Sequence, residues 1–310
     1  MPRRILLGPQ RPTINVDIAV ARSETGSEPI GVISAGWQEA EGDTEEVQKI
    51  VGRSLVDLGL YRRAEQLFAA DPELHDAYRL RQNRLKELQR LYRQRLRQLM
   101  IAARQTLRLK GEASVIDAER RHAISQLRAL DRHHLNQVQK ANLLFRHTFD
   151  LEHHDQFVEH VAAIREILSR CKIVMITGGN IVVLINRLKL FGVDQLLEDK
   201  HIIAWSAGAM ALSDRIVLFH DKLPQGRRDP ELLGEGAGIL PTLIFLPEAA
   251  RRLRKKDQVR AGLLSRRFSP ATCVTLDSGS MLLLDGQQLT ESESVRRITW
   301  DGHFRKLHPK

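Results

Sequence analysis

The stretch from Ile173 to Ser213 constrains this chain most, because it spells out an apolar strand, a turn of small residues and a helix twice in succession. KIVMITGGN at 172–180 ends an apolar run in a glycine turn, and Ile181 to Phe191 then reads as a helix. HIIAWSAGAMAL at 201–212 repeats that order, with Ser206 at the turn. Short apolar runs bounded by glycine and other small residues read as buried strands. Strands alternating with helices imply a mostly parallel sheet, with sites beyond the strands' carboxyl ends. The expected fold is therefore α/β, a doubly wound and mostly parallel sheet. ILLG at 5–8 and IGVISAGW at 30–37 add buried strands, with a turn at GSEP 26–29. Val47, Ile50, Val51 and Leu55 fall at helical spacing. GAGILPTLIFL, CVTLDSGSMLLLDG and RRITWDGHF supply the later strands.

Residues 61–170 break that rhythm and read as nearly all helix. Leu85, Leu88, Tyr92, Leu96, Leu99 and Ala103 recur every three or four positions, as do Ile124, Leu127, Leu130, His134, Val138, Ala141 and Phe145. The pattern stops between them at Lys110–Gly111. Two long antiparallel amphipathic helices, a helical hairpin, fit this best. The chain thus divides into an α/β domain made of 1–60 and 171–310 and a basic helical insertion at 61–170. Each apolar stripe is narrow, so the hairpin is expected to project and pack mainly on itself. The stripes also suit a homodimeric four-helix arrangement.

Charge is concentrated in the same element. Residues 79–146 hold 17 Lys and Arg against five acids, so the whole chain's excess of +10 lies there. Arginine-rich helices suit an anionic partner, an acidic protein or nucleic acid, because guanidinium forks make bidentate contacts. Tyr92 and Phe145 are the aromatics of this stretch, which offers little for base stacking. A charged helix face is also, in the plain reading, just solvated.

Other classes find little support. The apolar run in MPRRILLGPQ is too short for a signal peptide, and no run approaches the roughly 20 residues of a membrane span. The chain reads as cytoplasmic, with no membrane role. Cys171 and Cys273 sit in no CxxC or Cys/His spacing and read as small buried hydrophobes. The adjacent pairs His133–His134 and His153–His154 point about 100° apart on a helix, which argues against a metal. No cofactor is expected.

Ala204-Trp205-Ser206-Ala207-Gly208 has the form of a nucleophile elbow, normally G-x-S-x-G, with Ala204 in the first place. A strained strand-to-helix turn exposes the serine Oγ, and the following helix aims amides at developing negative charge. The plain alternative is that Ser206 merely caps a helix. Thr177-Gly178-Gly179-Asn180 ends the preceding strand, and a parallel sheet would set its amides beside Ser206. This turn lacks the G-x-G-x-x-G spacing of a dinucleotide site.

ITGGN, then AWSAGA, then GAGILP at 236–241 resemble, in order and spacing, the peptidase E and cyanophycinase family of serine peptidases. The resemblance covers Ile173 to Asp285 and the strands before Trp37, with the basic helices outside it. It implies a class I glutamine amidotransferase-like fold and hydrolysis of a small peptide or amide. It makes Ser206 the nucleophile, the amides of Ala207 and of Gly178 or Gly179 the oxyanion hole, and Asn180 a border of the substrate pocket. Asp221 stands fifteen positions beyond the serine, where peptidase E has an acid. That family's general base is a histidine shortly after GxGxLP, whereas here the matching place holds Glu248.

No histidine occurs between His220 and His303. A serine hydroxyl needs a base within reach, and a glutamate of pKa near 4.3 is weaker than an imidazole near 6.5. Two repairs are open: His220 from another direction, or Glu248 with its pKa raised by burial. The plain readings are a structural histidine in LFHDK, and a surface glutamate paired with Arg251, Arg252 or Arg254. The chain therefore reads either as a peptidase E-like serine hydrolase, impaired in its relay, or as a non-catalytic protein binding an anionic partner through its basic helices.

Overall fold

The computed structural model describes residues 1–24, 26–220 and 229–309. In chain order the first elements are β1 (Arg3–Leu7), α1 (Val16–Arg22), β2 (Ile30–Ile33), α2 (Glu45–Val51), β3 (Leu55–Asp57) and α3 (Leu60–Ala70). Two long helices follow, α4 (Pro72–Arg108) and α5 (Ala113–Thr148), then α6 (Asp155–Arg170). The doubled motif gives β4 (Ile173–Ile176), α7 (Ile181–Leu190), β5 (His201–Trp205) and α8 (Ala207–Ala211). Next come β6 (Arg215–Leu218), β7 (Glu231–Glu235), β8 (Leu243–Pro247), α9 (Ala249–Arg252) and α10 (Gln258–Phe268). The chain closes with β9 (Thr272–Leu276), β10 (Met281–Asp285), β11 (Gln288–Glu293), β12 (Arg296–Ile298) and β13 (Phe304–Lys306).

The central sheet has seven strands in the order β11-β10-β1-β5-β4-β2-β3. From β1 to β3 all pairings are parallel, while β10 and β11 are antiparallel additions at one side. β4 and β5, which carry the two turns, are neighbours with Ile176 opposite Ala204. Alternate residues of these strands bury on opposite faces. Val174, Ile176, Ile202 and Ala204 pack with α3, α6, α7 and α8, whereas Ile173, Met175, Ile203 and Trp205 pack with α1. Burial on both faces is why these strands read as continuous apolar runs rather than alternating ones.

The late strands do not all extend that sheet. β8 and β9 pair in parallel with each other, and β12 and β13 complete a separate four-stranded sheet. β6 and β7, not foreseen in the sequence, form a two-stranded antiparallel pair. Both cysteines are free and buried, and burial pushes the Cys273 thiol up to about 12. Among the described residues no helix is long and apolar enough to cross a membrane.

The helical block falls where its periodicity put it. Asp71 caps α4 by accepting from the Leu74 N–H at 2.9 Å, with Pro72 in the first turn. The helices break between Arg108 and Ala113, and pairs such as Tyr92 with Asp131 and Arg81 with Asn142 show that α4 and α5 run antiparallel.

α4 and α5 pack most extensively on each other, but one expectation needs correction, since the pair does not project freely: Tyr92, Leu96, Met100, Leu127 and Leu130 share a core with β7, β8 and α10. The stripe that suggested a homodimer is covered in this way by the chain's own elements. The tie is polar at its centre. Fully buried Arg267 of α10 makes a bidentate pair with Asp131 of α5 at 2.6 and 2.7 Å, and also donates to Tyr92 Oη and the Pro230 carbonyl. Arg93 and Arg104 likewise turn inward to Glu231 and Asp229. At the two ends of the helical block, Leu60, Ala64 and Leu67 of α3 and Ile164 and Leu168 of α6 lie in the central-sheet core.

Candidate functional site

Ser206 stands where β5 hands over to α8, with φ 51° and ψ −115°. Such a backbone is strained for a residue with a Cβ, at a cost of about 1–3 kcal/mol. It is held from both sides. Gly208 brings α8 so close to β4 that a methyl there would sit 2.2 Å from the Ile176 carbonyl oxygen. Ser206 occupies the N-cap position, yet its side chain makes no capping hydrogen bond. The plain reading of this serine as a helix cap therefore does not describe it.

The TGGN turn lies beside it. A methyl on Gly178 would be 3.1 Å from Ser206 Cβ and 3.6 Å from its Oγ. Gly179 has φ 107° and faces the Gly36 carbonyl, so it can only be glycine. Neither glycine donates its N–H to an acceptor among the described residues. Ala207, as the first residue of α8, has no intrahelical acceptor for its own. Asn180 is held at the start of α7, between Gly179 and Ile181 of the cavity wall. Its Oδ1 accepts from the Val182 and Val183 N–H groups, capping α7, and its Nδ2 donates to Gln38. Gln38 itself has φ 60° and ψ −120°, a second strained residue in the same backbone region as Ser206.

A cavity of about 300 Å³ opens over the serine. Gly179, Ser206, Ala207, His220 and Glu248 all line it, so residues from four separate parts of the sequence meet here. Asp221 lies outside the described residues. Glu248 follows β8 in a left-handed conformation, with φ 56° and ψ 33°. Its Oε2 accepts from Arg251 at 2.8 Å and from Arg252 at 2.9 Å. Partial burial would raise its carboxyl, but the two arginines hold it below its ordinary value. The expectation of a glutamate raised by burial is thus reversed, and the plain salt-bridge reading holds for Arg251 and Arg252. His220 stacks on Phe219, with ring centroids 6.5 Å apart.

Sequence reasoning passed over several lining residues. Pro9 follows β1 and so sits at a carboxyl end, which the parallel order alone could have indicated. Phe219 ends the RIVLF run, whose apolar character was the available signal for β6. Arg252 lines the cavity and stands over the Phe219 ring at 5.8 Å.

Fold and site together define a mixed α/β protein with a mostly parallel central sheet and a serine presented at a strand-to-helix turn. The sequence model of peptidase family S51, the peptidase E family, matches residues 129–292, just over half of the chain, and the chain belongs to that family. The match begins inside α5, so the end of that helix and α6 fall within it, beyond the limits set by the motifs alone. Membership supports a peptidase-like function. No curated protein matches the chain. Among solved structures it is similar to a peptidase from an acI-B1 Actinobacterium, at 13% identity over 97% of this chain and 91% of the other, with a TM-score of 0.44. It is also similar to a peptidase E-like protein from Listeria monocytogenes EGD-e, at 11% identity over 96% and 100%, with a TM-score of 0.44.

Proposed function

We propose that this protein is a serine hydrolase of a short peptide or amide, built on a class I glutamine amidotransferase-like domain with α4 and α5 as a long inserted hairpin. Ser206 is the nucleophile of an elbow, and the amides of Ala207 and of Gly178 or Gly179 form the oxyanion hole. The observation that carries this reading is a strained serine that caps nothing, beside unclaimed amides and over a cavity. Its relay is weaker than the family pattern. Glu248, engaged by two arginines and kept ionised, is a poor base, so His220 is the better candidate among the groups lining the cavity. Asp221 is carried as the family's acid on resemblance alone.

A fluorophosphonate probe tests this directly. Wild type should be labelled at Ser206, Ser206→Ala should not, and His220→Ala should slow labelling by about 10²–10⁴-fold, the usual worth of a general base. Glu248→Gln should change it little. A wild-type chain inert to the probe would sink the hydrolase reading.

A second reading has its own support. Arg84, Arg95, Arg121 and Arg132 are exposed and carry no ion pair among the described residues. They would serve a non-catalytic role in binding an anionic partner. Tyr92 and Phe145 are buried, so bases find nothing to stack on and an acidic protein fits better than nucleic acid.

A further inference from the structure

Between α4, α5, α7 and the β6–β7 pair lies a second cavity of about 390 Å³, within the range of about 300–1,000 Å³ usual for small-molecule sites. Its floor is apolar, made by Val138, Ile185, Leu218 and Leu233. Leu218 also lines the cavity over Ser206. On the polar wall donors outnumber the one carboxylate, Glu235. Arg81 Nε donates to Asn142 Oδ1 at 2.9 Å and its Nη2 to Asn186 Oδ1 at 3.4 Å. An arginine can only donate, so both amides must turn their oxygens to it and are left presenting their NH₂ groups. Arg81 also hydrogen-bonds to Tyr78, which brings it no charge, and the buried Nε2 of Gln82 has no partner among the described residues.

This guanidinium lacks an anion. The rings of Tyr78 and Phe145 stand 5.3 and 5.6 Å from it. Burial, with the charges of Arg146 and Arg187 adding to it against the help of Tyr78, holds its pKa below the ordinary value. Of the other cations on the wall, Lys189 pairs with Asp194 and Arg93 with Glu231, while Lys86 is exposed. A desolvated cation among donors is an unmet demand for an acceptor, which a bound anion would satisfy through charge-assisted hydrogen bonds.

We propose that this cavity binds the free C-terminal carboxylate of a short apolar peptide. The carboxylate meets Arg81 and the NH₂ groups of Asn142 and Asn186, and apolar side chains lie on the floor. A single negative charge fits best, since one guanidinium is unmatched and Glu235 on the same wall would repel a second. The unpartnered Nε2 of Gln82 suits a peptide carbonyl, a group that a plain alkyl carboxylate lacks. The inference does not rest on chemistry at Ser206.

Calorimetric titration of the full chain tests it, with N-acetyl-Leu-Leu, its C-terminal amide and octanoate as probes. The acid should bind saturably, and the amide and octanoate at least tenfold more weakly. Arg81→Gln should weaken the acid at least tenfold. So should Val182→Trp, at an exposed wall position where a larger ring can fill the cavity without disturbing the core. The proposal is overturned if the acid does not bind, if acid and amide bind alike, if octanoate binds as tightly as the peptide, or if both variants keep wild-type affinity. Binding is read here without turnover, so failure leaves the labelling of Ser206 as a separate result.

Discussion

Asp131 and Glu248 are both carboxylates gripped by guanidinium groups at 2.6–2.9 Å, but the Asp131 side chain is 6% exposed and the Glu248 side chain 27%. Around Asp131 every oxygen is engaged by Arg267 or Tyr92, and the cluster joins α5 and α4 to α10. Around Glu248 the partners are its own helix neighbours, three and four residues on, and the pair looks into the cavity over Ser206. Burial makes the difference. Two charges taken out of water must satisfy each other, so the first cluster fixes how the helices dock. The second stays wet enough that its composition can change without the fold changing. A cluster that can change is one where a catalytic group can be gained or lost.

The largest effect expected from this contrast is on stability. Asp131→Asn leaves the Arg267 charge buried without its partner, and such a loss typically costs about 3–5 kcal/mol. Glu248→Gln removes a partly exposed pair, worth about 0–1 kcal/mol. Chemical denaturation of the two variants measures both. Equal losses would show that the buried cluster does not hold the helices in place. A smaller effect, on rate, is expected at the second cluster. Glu248→His puts an imidazole at the position that we propose matches the family's base, and turnover of a small peptide or ester should rise by up to about 10²–10⁴-fold. Histidine is among the residues that tolerate a left-handed backbone, and two nearby arginines would keep it neutral near pH 7. No gain in turnover, with the fold intact, would show that Glu248 does not occupy the seat of the base.

How far each cluster could be read from sequence follows the same division. Glu248 and its arginines are local, at helical spacing, and the sequence gives both their pairing and their place after a strand. The turns at Gly178 and Ser206 are legible for the same reason, since a strand and a glycine or serine turn are neighbours in sequence. Asp131 and Arg267 are 136 residues apart. One reads as an acid in a basic helix and the other as a charge near a helix end, so nothing marks them as partners. That missing pair is why the helices were expected to project. β6 and β7 were missed because a two-stranded pair interrupted by charge has no strong period. The separate four-stranded sheet was missed because apolar runs announce strands but not which sheet they join. The cap that Asn180 supplies to α7 is, by contrast, local, since an asparagine just before a helix is a usual N-cap.

The smallest predicted effect probes the buried cluster through pH. His134 stacks on Tyr92 with ring centroids 4.2 Å apart and is 3% exposed, and burial holds its pKa below the ordinary value of about 6.5. Above that value the histidine is neutral in the folded and unfolded chain alike, and its packing contributes in full. As pH falls below it, the unfolded chain takes up a proton that the folded chain refuses, so stability declines until the folded group also titrates. His134→Phe keeps a ring against Tyr92 and removes the titration. His160 and His201 are likewise depressed by burial and remain in both proteins, so they cancel in the comparison. Denaturation midpoints between pH 7 and pH 5 should fall less steeply for His134→Phe than for wild type. Identical slopes would mean that protonated His134 is accommodated where it stands, and that the region around Asp131 is as open to water as the one around Glu248.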